Sequence, residues 1–312
     1  MTATSDSLPA SPLATANLQE HRSPLSQTLH RLARHRSFQV GVVLLLLLVF
    51  VAVFANFLAP YDPTEPLDNV TRRDTPCIQA LGCTTSQGNH YFGIDGNNRD
   101  EYSRILFGAR LSLQIGFITT GIAIIIGSIL GAIAGYTGGW TDTIIMRSMD
   151  ILLAFPSLLL AIAIVAVLGQ GLINALIAIA IVNIPIYARL FRASVLSVRD
   201  LEYVTASRAV GASPLRILAS DIVPNAMTPI LVQGTLGIAT TILDAAGLSF
   251  LGLGAQPPTP EWGAMLSEER NSIFTAPHLV FIPGIAIMLT VLSFNLIGDA
   301  LRDALDPRLR IG

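Results

Sequence analysis

The sequence contains no lysine. All nineteen of its basic residues are arginine, and only two cysteines occur among its 312 residues. A nucleotide-binding P-loop needs the lysine of Gly-x4-Gly-Lys-[Ser/Thr], because this lysine reaches the nucleotide phosphates. These residues therefore cannot form a P-loop, and any ATP-driven process in which they take part must draw its energy from another protein.

Charged residues of either sign are also scarce. They make up 13% of the sequence, whereas hydrophobic residues make up 52% and the mean hydropathy is +0.60. This composition lies far from that of a soluble domain. The loops offer neither a nucleophile with a base nor a cluster of metal ligands, so we expect no catalytic residue and no metal site. The sequence predicts a membrane protein that is not an enzyme.

Long apolar runs predict six membrane spans. A helix of roughly 20 apolar residues crosses the hydrocarbon core of a membrane. Four runs have about this length: Gln39–Ala59, Leu111–Tyr136, Ala226–Leu251 and Pro277–Ile297. The uncharged stretch Ile151–Ala188 would be about 57 Å long as a single helix, nearly twice the need. Its one polar, helix-breaking cluster is Gly169-Gln170-Gly171, so we predict a tight hairpin there between spans three and four.

The distribution of arginine predicts the orientation of these spans. Six spans place both termini on one side, and an inner N-terminus leaves thirteen arginines inside and six outside. The positive-inside rule therefore favours N-in, C-in, although five of the outer arginines lie in the single loop Ala59–Arg110. A cleaved signal peptide is the alternative for the first run, but its apolar core is too long and no clean small-x-small cleavage site follows it.

These boundaries predict the organisation of the chain. We expect a largely disordered cytoplasmic tail over residues 1–37, a first transmembrane helix over 38–59, an extracytoplasmic loop over 60–110, five further transmembrane helices over 111–300 and a cytoplasmic tail over 301–312. Both cysteines, Cys77 and Cys83, fall in the outer loop. Their spacing can close a small disulfide ring in an oxidising compartment, and two unpaired thiols are the alternative.

The stretch TASRAVGASPLRILASDIVPN, Thr205–Asn225, has the signals of two short helices around a bend. Leu201–Val210 is rich in helix formers, and Gly211 sits where a helix ends because glycine tolerates the left-handed conformation. Ser213 then offers an N-cap oxygen, and Pro214 suits the first helical position of a second helix, which we expect to run until Pro224. The side chains around the bend are small, so the surface of another protein could approach its backbone closely. An ordinary connector that lies on the membrane is the alternative.

The spacing of Ala206, Gly211 and Pro224 matches the pattern Glu-Ala-Ala-x3-Gly-x9-Ile-x-Leu-Pro. In this respect the stretch resembles the cytoplasmic EAA loop of binding-protein-dependent ABC importer permeases, here over residues 199–225. Glu202 lies about one turn before the position of the first glutamate. Four positions depart from the pattern: Thr205, Ser207, Asp221 and Val223.

Further stretches narrow the resemblance to the C-type permease subunit of dipeptide and oligopeptide importers. They are FGIDGNNRDEYSRILFGARLSL, AGYTGGWTDTIIMRSMDILLAFPSLLLAI, GLSFLGLGAQPPTPEWGAML and GDALRDALDPRLR, in this order, with Ile94 and Asn98 as substitutions in the first. The resemblance extends over nearly the whole chain beyond the N-terminal tail. The resemblance implies an all-α membrane protein with the type I ABC importer permease fold, whose ABC transporter transmembrane domain spans residues 111–300 and carries a cytoplasmic coupling helix.

The resemblance also implies partners. These are a second homologous permease, two ABC ATPase subunits that bind ATP and Mg, an extracytoplasmic substrate-binding protein and the lipid of a bacterial inner membrane. No cofactor on this chain and no nucleic acid are implied. Peptides are the expected substrate, with nickel complexes or glutathione as alternatives on the same scaffold. A secondary transporter would need intramembrane ionisable residues and an internal repeat, neither of which is evident. A membrane-bound receptor or assembly subunit would leave the EAA-like loop unexplained.

Site residues follow from the same resemblance. We expect nine loop residues to contact an ATPase subunit: Glu202, Thr205, Ala206, Arg208, Gly211, Ser213, Pro214, Leu215 and Pro224. Five residues are candidates for binding-protein contact, with simple solvation as the alternative: Asp95, Arg99, Asp100, Arg104 and Trp262. Asp244 interrupts the fifth span and could line the pathway, bind the partner permease, or lie near the outer interface.

Two inner features predict packing within the chain. Asp142, Arg147 and Asp150 bracket the inner loop before the third span, where we expect a structural ion pair in preference to transport chemistry. Gly127, Gly131 and Gly135 form a small-residue face at i+4 spacing, which favours close helix packing.

Overall fold

A computed structural model describes residue 32 and residues 35–78 and 89–305. Within these residues the regular structure is helical, apart from two isolated β-bridges. Five helices are long and apolar enough to cross a membrane, and the number reaches six if one bent pair of helices counts as a single span. The predicted all-α membrane fold is therefore confirmed.

The helices follow one another with short connections, except for the long segment between the first two. In chain order they are α1 (Arg36–Leu58), α2 (Glu101–Thr137), α3 (Gly139–Leu153), α4 (Ser157–Leu168), α5 (Leu172–Val198), α6 (Glu202–Ala209), α7 (Pro214–Arg216), α8 (Val223–Ala226), α9 (Thr228–Phe250), α10 (Trp262–Glu269) and α11 (His278–Leu305). A π-helical turn, Ile217–Ile222, joins α7 to α8.

Helix α2 begins earlier than its apolar run. It has 37 residues and starts at Glu101, whereas the apolar run that predicts the second span starts at Leu111. At 1.5 Å per residue it is about 56 Å long, well beyond the hydrocarbon thickness. The Asp100 side chain accepts a hydrogen bond from the Ser103 backbone N–H and so caps the helix start. The apolar run indicates which residues lie in the hydrocarbon core of the membrane, whereas the cap indicates where the helix begins.

The third span differs from a straight helix that begins at Ile151. Residues up to Leu153 belong to α3, and α4 follows at an angle of 93° with only 12 residues, or about 18 Å. Pro156 lies at this bend, where proline removes a backbone donor and disfavours the helical conformation of the residue before it. The hairpin lies where it was expected, since α4 ends at Leu168 and α5 begins at Leu172.

The glycine face of α2 packs directly against α5. A β-carbon at Gly127 would lie 2.7 Å from Tyr187 Cβ, and one at Gly135 would lie 3.0 Å from the Arg192 carbonyl oxygen. Only glycine lets the two backbones approach this closely. This contact fixes the position of the inner half of α5, from which the EAA-like loop continues.

Candidate functional site

The segment Glu202–Pro224, which we call the coupling surface, folds around a glycine bend. Helix α6 ends in a Schellman arrangement: the Ala212 N–H donates to the Ser207 carbonyl at 3.1 Å, and the Gly211 N–H donates to the Arg208 carbonyl at 3.0 Å. Gly211 has φ +81°, the left-handed conformation that such an ending requires. The glycine bend predicted from the sequence is present.

The helix after the bend begins with the expected cap. The Ser213 Oγ accepts a hydrogen bond from the Arg216 N–H at 3.4 Å, and Pro214 occupies the first turn. It does not end at Pro224, as the sequence suggested, because the chain widens into the π-helical turn and continues through α8. Pro224 has no N–H to donate, and the wider π-helical turn before it tolerates the missing hydrogen bond. In this turn the Val223 N–H donates to the Leu218 carbonyl, five residues back.

All nine predicted coupling residues are exposed in the isolated chain. Beneath them Val204, Ile217 and Ile222 are buried and anchor the segment to the bundle. Two large apolar side chains stand out from the bend, Leu215 with 76% and Val210 with 84% of its surface exposed. Val210 was not among the predicted residues. The segment is thus rigidly attached yet presents an apolar tip, which is the form of a docking surface.

The inner carboxylates form the expected ion pairs. Asp142 pairs with Arg192 and Asp150 with Arg189, so the arginine partners come from α5. The Arg147 guanidinium lies 4.0 Å from Asp150 and is largely exposed.

A cluster of ion pairs lies at the opposite end of the bundle. The Arg99 Nε donates to Asp95 Oδ2 at 2.7 Å, and the Arg104 Nε lies 3.5 Å from the same oxygen. Both arginines also contact Glu268 Oε2, at 2.5 and 3.2 Å. We call these four residues the outer ion cluster. All four are buried or nearly so, which makes their mutual pairing obligatory.

Neighbouring contacts extend this cluster. The Arg73 Nε donates to Glu269 Oε2 at 2.8 Å, and the Gly96 N–H donates to Glu269 Oε1 at 2.7 Å. Glu268 and Glu269 were not predicted as site residues. Their one sequence signal is an acidic pair at the end of α10, in a chain whose outer loop carries five arginines. The cluster ties the loop before α2 to helix α10.

The remaining docking candidates are buried as well. Asp100 accepts hydrogen bonds from Ser103 and lies 2.9 Å from His90 Nδ1, while the Trp262 Nε1–H donates to the Ile105 carbonyl at 3.2 Å. The adjacent Glu261 caps α10, and its burial raises the pKa of this carboxyl. Contact of the five candidates with a binding protein stays a prediction. Their side chains are buried, so their observed role is to hold together the segments at this end of the bundle.

Comparison with known proteins settles the family. The profile described as binding-protein-dependent transport system inner membrane component matches residues 127–311, and that of the N-terminal TM domain of oligopeptide transport permease C matches residues 23–76. The chain belongs to this family of inner-membrane permeases. It is a multi-pass protein of the inner membrane and a permease subunit of the binding-protein-dependent type. The predicted resemblance is confirmed.

Curated relatives match over almost the whole permease. A dipeptide transport system permease protein of Alkalihalophilus pseudofirmus is 49% identical over 290 residues, covering 92% of this chain and 91% of that one. A di/tripeptide transport system permease protein of Pseudomonas aeruginosa is 49% identical, with 92% and 93% covered. A glutathione transport system permease protein of Escherichia coli is 45% identical, with 93% and 92% covered.

The fold also resembles a solved transporter. An inward-facing structure of the MetNI methionine ABC transporter aligns with a TM-score of 0.53 at 18% identity, covering 65% of the permease and 97% of that chain. This likeness supports the type I permease fold.

Asp244 lies in α9 and is partly exposed. Its carboxylate has no hydrogen bond or ion pair with any other described residue of the permease. Roles in the pathway or at a permease interface both stay predictions.

Cys77 is disulfide-bonded in the structure, and its backbone pairs with that of His90. Cys83 lies outside the described residues, so its pairing with Cys77 stays a prediction.

Maleimide labelling tests this pairing together with the orientation. We expect intact cells to label at Cys77 and Cys83 only after treatment with a reductant, because the thiols are paired and lie outside the inner membrane. Labelling without reductant would contradict the disulfide, and labelling that needs a permeabilised membrane would contradict the orientation.

Proposed function

We propose that this permease forms, with a second homologous permease, the import pathway for dipeptides or oligopeptides. An extracytoplasmic binding protein delivers the substrate, and two ABC ATPase subunits supply the energy with ATP and Mg. The observation that carries the proposal is the coupling surface, an exposed glycine bend anchored from beneath by Val204, Ile217 and Ile222.

The mechanism follows from this attachment. ATP binding closes the two ATPase subunits, and each coupling surface moves with the subunit on which it is docked. The paired permeases then switch from an inward-open to an outward-open state. A ligand-driven switch needs an element that is rigid enough to carry force, and the buried anchors give the coupling surface that rigidity.

Peptides are the favoured substrate class because two relatives at 49% identity are described as dipeptide and di/tripeptide permeases. Glutathione, itself a small peptide, is the second candidate, supported by relatives at 45% identity. To test the assignment, the permease complex is reconstituted in proteoliposomes with its binding protein. We expect ATP-dependent uptake of labelled dipeptide, and uptake of glutathione alone would replace the first candidate by the second.

The division of labour gives a separate prediction. The purified permease alone should neither bind nor hydrolyse ATP, because its sequence lacks the P-loop lysine. Equilibrium binding of labelled ATP measures this, with the complete complex as positive control. Micromolar ATP binding by the permease alone would contradict the proposed source of energy.

A further inference from the structure

Helix α3 is held to the rest of the chain in an unusual way. Of its 15 residues only Met149 is buried, so apolar packing within the chain secures it weakly. Gly138, which precedes α3, and Gly139, its first residue, both have positive φ, and the 93° bend follows the helix. Both ends of α3 are therefore sharp turns.

Two ion pairs connect α3 to α5. The Arg192 guanidinium contacts the Asp142 carboxylate through two bonds, Nε to Oδ1 and Nη2 to Oδ2, each 2.5 Å long. Their side chains are 31% and 20% exposed. Two turns further along α3, Asp150 pairs with Arg189, one turn earlier on α5. A bidentate arginine–carboxylate pair fixes relative orientation as well as distance.

The same part of α5 leads straight to the coupling surface. The Arg208 Nη2 of α6 donates to the Arg199 carbonyl at 3.1 Å, and the Arg199 Nη1 donates to the Gly135 carbonyl of α2 at 2.8 Å. The arginines that indicate an inner location by the positive-inside rule thus make specific contacts with helix ends and carboxylates. Movement of the coupling surface reaches α5 directly, since only Arg199, Asp200 and Leu201 separate α5 from α6.

We infer that the Asp142–Arg192 pair, supported by Asp150–Arg189, transmits movement of the coupling surface from α5 to α3 and the bent span α4. Asp142 and Arg192 are in this view positioning residues, which touch neither substrate nor nucleotide. The inference rests on the proposed function, since it presupposes an ATPase docked on the coupling surface.

Partly exposed ion pairs contribute little to the free energy of unfolding. Loss of the Asp142–Arg192 pair should therefore leave the permease folded and bound to its ATPases, while α3 no longer follows α5. ATP hydrolysis would continue with less import. This separates a transmitting role from a merely structural one, which would lower the amount of permease instead.

The experiment measures substrate imported per ATP hydrolysed by the complete complex in proteoliposomes. We expect Asp142→Ala and Arg192→Ala each to lower this ratio by about fivefold or more. The exchange Asp142→Arg with Arg192→Asp should restore much of it, because the pair is re-formed with reversed polarity. Arg147→Ala is the matched control on α3, since the Arg147 side chain is 80% exposed, and should leave the ratio unchanged.

An unchanged ratio in both alanine variants, or an exchanged pair no better than the single variants, would overturn the inference. No ATP-dependent uptake by the unaltered complex would contradict the proposed function, so the two failures are distinguishable.

Discussion

Gly211→Val is expected to lower substrate uptake by about tenfold or more while the amount of permease in the membrane stays near normal. Gly211 has φ +81°, and a β-branched side chain in that conformation costs about 1–3 kcal/mol. A β-carbon at this position would meet no other described atom within 4 Å, so crowding within the chain is not the cause. The strain instead changes the bend and the surface presented to an ATPase subunit.

Uptake and ATPase co-purification from the same membranes measure this effect. Gly252→Val is the matched control, because Gly252 has φ +78° and equally open surroundings but lies after α9, away from the coupling surface. It should retain the ATPase subunits. Pro214→Ala should have a milder effect than Gly211→Val, since proline there only preorganises a helix start. Normal uptake and an intact complex in Gly211→Val would show that the bend is only a connector.

Arg104→Met is expected to lower the amount of folded permease severalfold. The Arg104 side chain has no exposed surface, and it contacts Glu268, Asp95 and the carbonyls of Pro63 and Pro258. Removing one partner of a buried ion pair leaves uncompensated charge and costs about 3–5 kcal/mol. That cost is a large fraction of the stability of a typical domain.

Membrane abundance and the thermal midpoint of the detergent-purified complex measure this loss. Arg72→Met is the control, since Arg72 lies in the segment between α1 and α2 and is exposed. It should match the unaltered permease in both measurements. An Arg104→Met variant with normal abundance and an unchanged midpoint would show that the outer ion cluster contributes nothing net to stability.

The coupling surface could be predicted because its signals are local. Gly211, Ser213 and Pro214 each act within a few residues, through backbone conformation, an N-cap oxygen and a fixed φ, so their spacing specifies the bend. The widening before Pro224 escaped prediction because proline in a helix permits several responses, of which the π-turn is one.

The outer ion cluster could not be predicted in the same way. Arg99 and Glu268 are 169 positions apart in the sequence, and nothing in the spacing of either residue indicates the other. In the sequence, a charged loop residue that the fold buries looks the same as one that stays in contact with water. The bend between α3 and α4 was missed for a related reason. An uncharged run indicates that its residues lie in the hydrocarbon core, but it does not indicate the direction of the helices that they form.

Photo-crosslinking from position 215 tests most directly whether the coupling surface docks an ATPase subunit. A photo-reactive amino acid replaces the exposed Leu215 in the complete complex, with Val167, 87% exposed at the end of α4, as the control position. We expect irradiation to join position 215 to an ATPase subunit and position 167 not to do so. A complex that retains its ATPase subunits but gives no adduct from position 215, or gives one from position 167 instead, would contradict docking at the coupling surface.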